Sequence, residues 1–168
     1  HAAAEEIEAF HRQQVRASWL DYERGVGQMV RPIQRVGIYV PGGRAVYPST
    51  VLMVAVPARV AGVPEIIVTT PGRERGQVPP VTLVACSIAH VDRVFRVGGP
   101  QAIAALALGT DSVPAVDKIF GPGNLLVQLA KKALYGVTGV DALQGPTETV
   151  ILADDHSDPV LCAADLLA

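Results

Sequence analysis

The stretch Val36-Gly37-Ile38-Tyr39-Val40-Pro41-Gly42-Gly43 decides the fold: a β-branched apolar run breaks into glycine just ahead of a helical pattern. The same arrangement recurs at Val94-Phe95-Arg96-Val97-Gly98-Gly99-Pro100-Gln101 and at Lys118-Ile119-Phe120-Gly121-Pro122-Gly123-Asn124. Each places small residues where a parallel strand ends and the chain turns back. In an open α/β sheet such turns share one edge, and ligands bind there. Glycine lets a backbone approach a phosphate or sugar closely, and a helix N-terminus offers unpaired N–H groups to an anion. Three such turns point to a nucleotide-type cofactor. Tight strand-to-helix packing is the other physical reason for glycine at these places.

Outward from the first turn, the pattern alternates strand and helix. A strand over 36–40 leads to a helix over 50–61 with Ser49 as N-cap, and Pro57 inside it predicts a kink or an early end. Gly62 suits the stop, a strand over 65–70 follows, and the Pro- and Gly-rich run 71–80 reads as a solvated loop. Next come a helix over 81–89, strand 93–97, helix 100–108, strand 116–120, helix 124–135 and a short segment around 140–143. A strand over Thr149–Ala153 then leads through a polar loop to a last helix, with Asp158 as N-cap and Pro159 as its first residue. Repeated βα units of this length imply a parallel sheet.

Toward the N-terminus, Ala2 to Leu20 carries a helical period through Ile7, Phe10, Gln14 and Ala17, and Tyr22 to Arg35 reads as an extended arm. The expected class is α/β: an incomplete Rossmann-like parallel sheet with helices on both faces, preceded by an N-terminal helical arm. Three parts are expected: an arm and linker over 1–35, a cofactor-binding domain over 36–144, and the start of a second α/β domain over 145–168. The chain starts at His1 and stops inside a helical pattern at Ala168, so it reads as a piece of a longer polypeptide.

Bulk composition narrows the partners. Of the 168 residues 49% are hydrophobic and 18% charged, which suits a sheet buried on both faces. A formal net charge of -2 gives no electrostatic footprint for nucleic acid or an anionic membrane. No apolar run has the length of a membrane span and no segment reads as a signal peptide, so a cytoplasmic location is expected. Cys86 and Cys162 lie apart in apolar helical stretches and read as buried free thiols.

Candidate binding residues stand at the turns. Asn124 and Gln101 each open a helix just after glycine, where an amide either caps the helix, bonds a ligand, or does both. Tyr39 is positioned to bond a ligand or to fill core. Asp141 lies at about the separation expected of a ribose-binding acid, and equally suits a turn. Thr147 and Glu148 sit in a polar turn that either meets a polar substrate or merely reverses the chain. His156 among Asp154, Asp155 and Asp158 superficially resembles a metal cluster, but a surface loop with an N-cap explains it better. His90 follows a helix end, where a cation is favoured. No nucleophile–base pair, Cys/His metal site or pair of catalytic carboxylates emerges.

Four motifs carry a resemblance: 36–53 (VGIYVPGGRAVYPSTVLM), 96–109 (RVGGPQAIAALALG), 116–124 (VDKIFGPGN) and 145–154 (GPTETVILAD). In this order they resemble the histidinol dehydrogenase family, over a span from about Arg31 to the last residue. The resemblance implies a zinc-containing homodimer with incomplete Rossmann-like domains. Such an enzyme oxidises the amino alcohol L-histidinol through an aldehyde to L-histidine, with NAD, in the last steps of histidine biosynthesis. It further implies that Tyr39, Gln101 and Asn124 bind NAD and that Thr147, where the family has serine, meets the substrate.

The family's zinc-binding Gln and His, its Glu-His acid/base pair and its other zinc ligands fall beyond Ala168. The resemblance therefore gives this chain no catalytic base and no metal ligand. Two alternatives stand beside it. One is a related dehydrogenase of another polar alcohol, such as a sulfonated propanediol, given Thr147 and the unusual Gln144. The other is a non-catalytic, truncated module that binds a nucleotide or dimerises.

Overall fold

A computed structural model describes residues 1–42, 46–73, 76–143 and 148–167. Its elements are α1 (Ala2–Arg12), β1 (Trp19–Asp21), β2 (Val26–Gln28), β3 (Arg35–Tyr39), α2 (Pro48–Val60), β4 (Glu65–Thr69) and α3 (Pro80–Ile88). There follow β5 (Arg93–Phe95), α4 (Gly99–Leu108), β6 (Lys118–Phe120), α5 (Leu125–Leu134), β7 (Gly139–Val140) and α6 (Pro159–Leu167). Five strands form one parallel sheet in the order β5-β4-β3-β6-β7, and β1 and β2 form a separate antiparallel pair. The chain thus builds outward from β3 to one side, then crosses back to build on the other. The reversal falls between β3 and β6, where an open α/β sheet leaves its ligand crevice.

Alternation along the strands sorts side chains between two helix layers. Val36, Ile38 and Val40 of the first strand segment, with Ile66 and Val68 of β4, pack under α2 and α3. Tyr39 and Ile67 point to the opposite face, with Ile103 and Leu106 of α4, Ile119 of β6 and Val127 of α5. Gly37 belongs to that second face, where a Cβ would come within 3.0 Å of both Leu106 and Val116. The α/β class with helices on both faces is therefore as the sequence implies, and α1 leans on the first core through Ala4 and Ile7.

Several boundaries differ from the sequence reading. The first helix stops at Arg12 instead of Leu20, and residues 19–28 form a hairpin in place of an extended arm. Asp21 Oδ1 accepts the N–H groups of Glu23 and Arg24, and Gly25 takes a positive φ of 64°, which closes the hairpin turn. The helix expected over 50–61 starts earlier, with Pro48 in its first turn and no side-chain cap from Ser49. Pro57 does not end it, since the helix continues to Val60.

The strand expected over Thr149–Ala153 is absent: the segment pairs with no strand, and Leu152 and Val150 are 96% and 83% exposed. Apolar β-branched residues suit a strand but cannot make one without an edge to pair with. The N-cap expected at Asp158 is present, its carboxylate accepting the Val160 N–H at 2.8 Å. No helix among the described residues is long and apolar enough to cross a membrane.

Candidate functional site

All five strands being parallel, the glycine turns after β3, β5 and β6 open on one edge of the sheet. Their proximity is read from what a side chain on each glycine would strike. A Cβ on Gly42 would lie 2.3 Å from Pro71 Cγ, and one on Gly98 would lie 2.6 Å from Pro71 Cβ. The Pro71 ring, at the end of β4, is thus wedged between those two turns. On Gly121, with φ +120°, a Cβ would lie 2.0 Å from the Tyr39 carbonyl oxygen. The three turns do crowd onto one rim, but at these positions glycine makes room for the protein's own atoms. The expectation that these glycines clear an approach for a phosphate is corrected accordingly: between Gly42 and Gly98 lies a proline ring.

Tyr39 is the residue that ties the rim together. Its ring is buried, and its phenol oxygen accepts the Gly99 N–H at 3.2 Å, at the start of α4. Its carbonyl oxygen meets the Gly121 turn that leads to α5. One residue therefore spaces the N-termini of two helices. The phenol hydrogen remains a donor, whereas the buried ring fills core and has no face to stack on a ligand.

Gln101 and Asn124 stand exposed at those two helix starts. Asn124 Oδ1 accepts the Val127 N–H at 3.1 Å, so the cap forms, and among the described residues its side-chain NH2 has no acceptor. The N–H groups of Leu125 and Leu126, in the first turn of α5, have no acceptor within the helix. Gln101 Oε1 lies beside Gly99, 2.7 Å from where a Cβ on that glycine would be. Gly99 itself has φ +68°, a conformation that favours glycine. The sequence-predicted residues Tyr39, Gln101 and Asn124 thus share this rim. Thr147 lies outside the described residues, as do Gln144 and the rest of 144–147.

Asp141 takes a structural place. One of its carboxylate oxygens accepts the Gly121 N–H at 2.9 Å and the other sits 2.7 Å from Lys131 Nζ and 2.8 Å from the Ala142 N–H. Both oxygens are engaged inside the protein, the turn role that the sequence also allowed for this residue. Lys131, fully buried, also donates to the Gly121 carbonyl at 2.5 Å. Sequence reasoning missed this lysine although a signal was there. Lys131 stands four residues after Val127, on the buried stripe of α5.

Other charged candidates resolve into local bonds. Asp154 accepts from the Ser157 hydroxyl at 2.9 Å and the His156 N–H at 3.0 Å, which holds its carboxyl below the usual range. His90, at φ 53°, follows α3, and the cation at that helix end is Arg59, which donates to the His90 carbonyl. Among the described residues no group of three or more His, Cys, Asp or Glu is placed to hold a metal ion. Two cavities, about 560 and 660 Å3, lie on the α2 side: one between α1, α2 and the end of α3, the other between α1, residues 30–33 and α2.

Comparison with known proteins fits this geometry. The family model described as histidinol dehydrogenase matches residues 1–168. The chain belongs to the histidinol dehydrogenase family. It is 57% identical over 167 residues to the histidinol dehydrogenase of Dehalococcoides mccartyi strain CBDB1, and 58% identical over 168 residues to that of Deinococcus radiodurans. In each case 99% of this chain aligns with 38% of the relative. The crystal structure of histidinol dehydrogenase from Elizabethkingia anophelis superposes with a TM-score of 0.84 at 39% identity, covering 98% of this chain and 39% of that one. The chain thus spans about two fifths of the length of the histidinol dehydrogenases it matches.

Proposed function

We propose that this chain is the cofactor-holding part of an NAD-dependent enzyme that oxidises L-histidinol through its aldehyde to L-histidine, within histidine biosynthesis. The observation that carries the reading is Tyr39, which binds the α4 and α5 turns into one rim at the sheet's reversal point. Family membership supports L-histidinol as the substrate. In this reading the enzyme is a homodimer whose zinc is held by residues outside this chain. The division at residues 35 and 144 into arm, cofactor domain and second domain belongs to the same proposal.

NAD, when bound, is the hydride acceptor. The residues present fit it chemically: polar donors and two helix N-termini. Asn124 would offer its side-chain NH2, Gln101 its amide, and Tyr39 its phenol hydrogen. The first-turn N–H groups of Leu125 and Leu126 favour the negative charge of a pyrophosphate. Thr147 would bring a hydroxyl to the alcohol substrate.

The test is kinetic. In the intact protein, Asn124→Ala should raise the KM for NAD about tenfold, the loss of one or two ligand hydrogen bonds. An unchanged NAD affinity would contradict the cofactor assignment. Turnover of a sulfonated propanediol in preference to L-histidinol would keep the cofactor and move the substrate.

A further inference from the structure

A lysine with no exposed surface in the middle of a helix is an unusual choice where leucine would pack. Lys131 has 0% exposure, and its ammonium reaches only 2.5 Å to the Gly121 carbonyl and 2.7 Å to Asp141. A buried ion pair adds little net stability over well-packed apolar residues, because desolvating both charges offsets their attraction. What such a pair does provide is one fixed geometry. Here the geometry it fixes is that of a single peptide-flanked residue: Asp141 accepts the Gly121 N–H and Lys131 donates to the Gly121 C=O.

Gly121 is the residue of this turn least able to hold itself in place. At φ +120° it occupies backbone space open only to glycine, and glycine is free to leave it. The turn must nonetheless meet the Tyr39 carbonyl on one side and deliver Asn124 to the start of α5 on the other. Lys131 lies two helical turns beyond Asn124, and Asp141 directly follows β7, so the clamp ties helix, strand end and turn together.

We propose that Lys131 and Asp141 are positioning residues that lock the Gly121–Asn124 turn in the geometry that receives the cofactor. The proposal rests on the NAD reading above and names residues that act through that turn, without touching ligand. It separates from a merely structural role by where the kinetic loss appears. A displaced turn weakens cofactor binding; a weakened core lowers stability and leaves the affinity of the folded fraction alone.

The experiment compares the intact protein with Lys131→Met, Asp141→Asn and the double variant, measuring kcat and the KM for NAD and for L-histidinol. Removing one charge strands the other in the core, so Lys131→Met alone is at risk of not folding. The double variant removes both charges and keeps the proposal testable. Its KM for NAD should rise about tenfold, with kcat and the KM for L-histidinol within about twofold of the parent. Amide exchange should also quicken at Gly121 while Ile67 and Ile119 stay protected. A double variant with the parent's NAD affinity overturns the clamp, even where Lys131→Met is impaired, because then only the stranded charge mattered. A parent protein that reduces no NAD, or an Asn124→Ala variant that binds it unaltered, overturns the cofactor reading instead.

Discussion

Between Arg35 and Val140, side chains from four strands and four helices close two apolar cores, while outside that span, over 1–34 and 148–167, no described residue is buried. The two regions do not differ in their supply of apolar residues. Phe10, Trp19, Leu152 and Leu161 are as hydrophobic as anything in the sheet, yet all stand at least half exposed. The difference is partnership. In the sheet residues are fixed by neighbours distant in sequence; in the flanks, apart from α1 resting on the first core through Ala4 and Ile7, structure comes from local bonds such as the Asp21 turn and the Asp158 cap. Positions in the sheet should therefore be intolerant in ways that depend on a named neighbour.

The severest break is Gly121→Val. A side chain there meets the Tyr39 carbonyl and forces a β-branched residue into a positive-φ conformation. The expected loss is more than about 4 kcal/mol, or no folding, in urea unfolding of the intact protein. A loss under about 1 kcal/mol would show the turn to be loosely held.

Next in size is Gly42→Ala, which drives a Cβ toward Pro71 Cγ and should cost about 1–3 kcal/mol. Pro71→Ala removes that atom, so the double variant should recover most of the loss in a double-mutant cycle. Additive effects would mean that Gly42 answers to something other than Pro71. Asn124→Ala should cost about 1 kcal/mol of stability through its lost cap, separately from any change in NAD affinity.

The two cysteines sharpen the contrast with the smallest effect. Burial in the sheet's core pushes the Cys86 thiol up from 9.0 to about 11, whereas Cys162 lies half-buried in the flank. Below pH 9 folded and unfolded chains both keep the Cys86 proton, and this thiol leaves stability unchanged. Between about pH 9 and 11 the unfolded chain releases the proton first, so stability falls as pH rises. At pH 8, iodoacetamide should label Cys162 and leave Cys86 until the protein unfolds. Equal labelling rates would break the comparison.

The same contrast decides how much was legible in the sequence. Within the sheet, apolar runs closed by glycine marked β3, β5 and β6, because a strand buried on both faces declares itself by composition. In the flanks Thr149–Ala153 has the same look but pairs with no strand, and pairing is not written in a single segment. The hairpin at 19–28 was readable from Asp21 and Gly25, had turn chemistry been weighed above helical period.

At the rim, residue type was legible and the reason for it was not. Gly42, Gly98 and Gly121 were singled out for a ligand's approach, and the atoms they admit belong to Pro71 and Tyr39. The Tyr39 phenol meets Gly99 across 60 positions of sequence, a contact no local pattern encodes. Lys131 was hidden by habit: a lysine on a helix is taken for solvent-facing, although its spacing from Val127 placed it inside.

The central claim is that NAD lies across the rim joined by Tyr39. A crystal structure of the intact protein with NAD tests it most directly. The account predicts cofactor density between the N-termini of α4 and α5, with Asn124 and Gln101 in hydrogen-bond contact. NAD seated instead in either cavity beside α2, or elsewhere away from Tyr39, would contradict it.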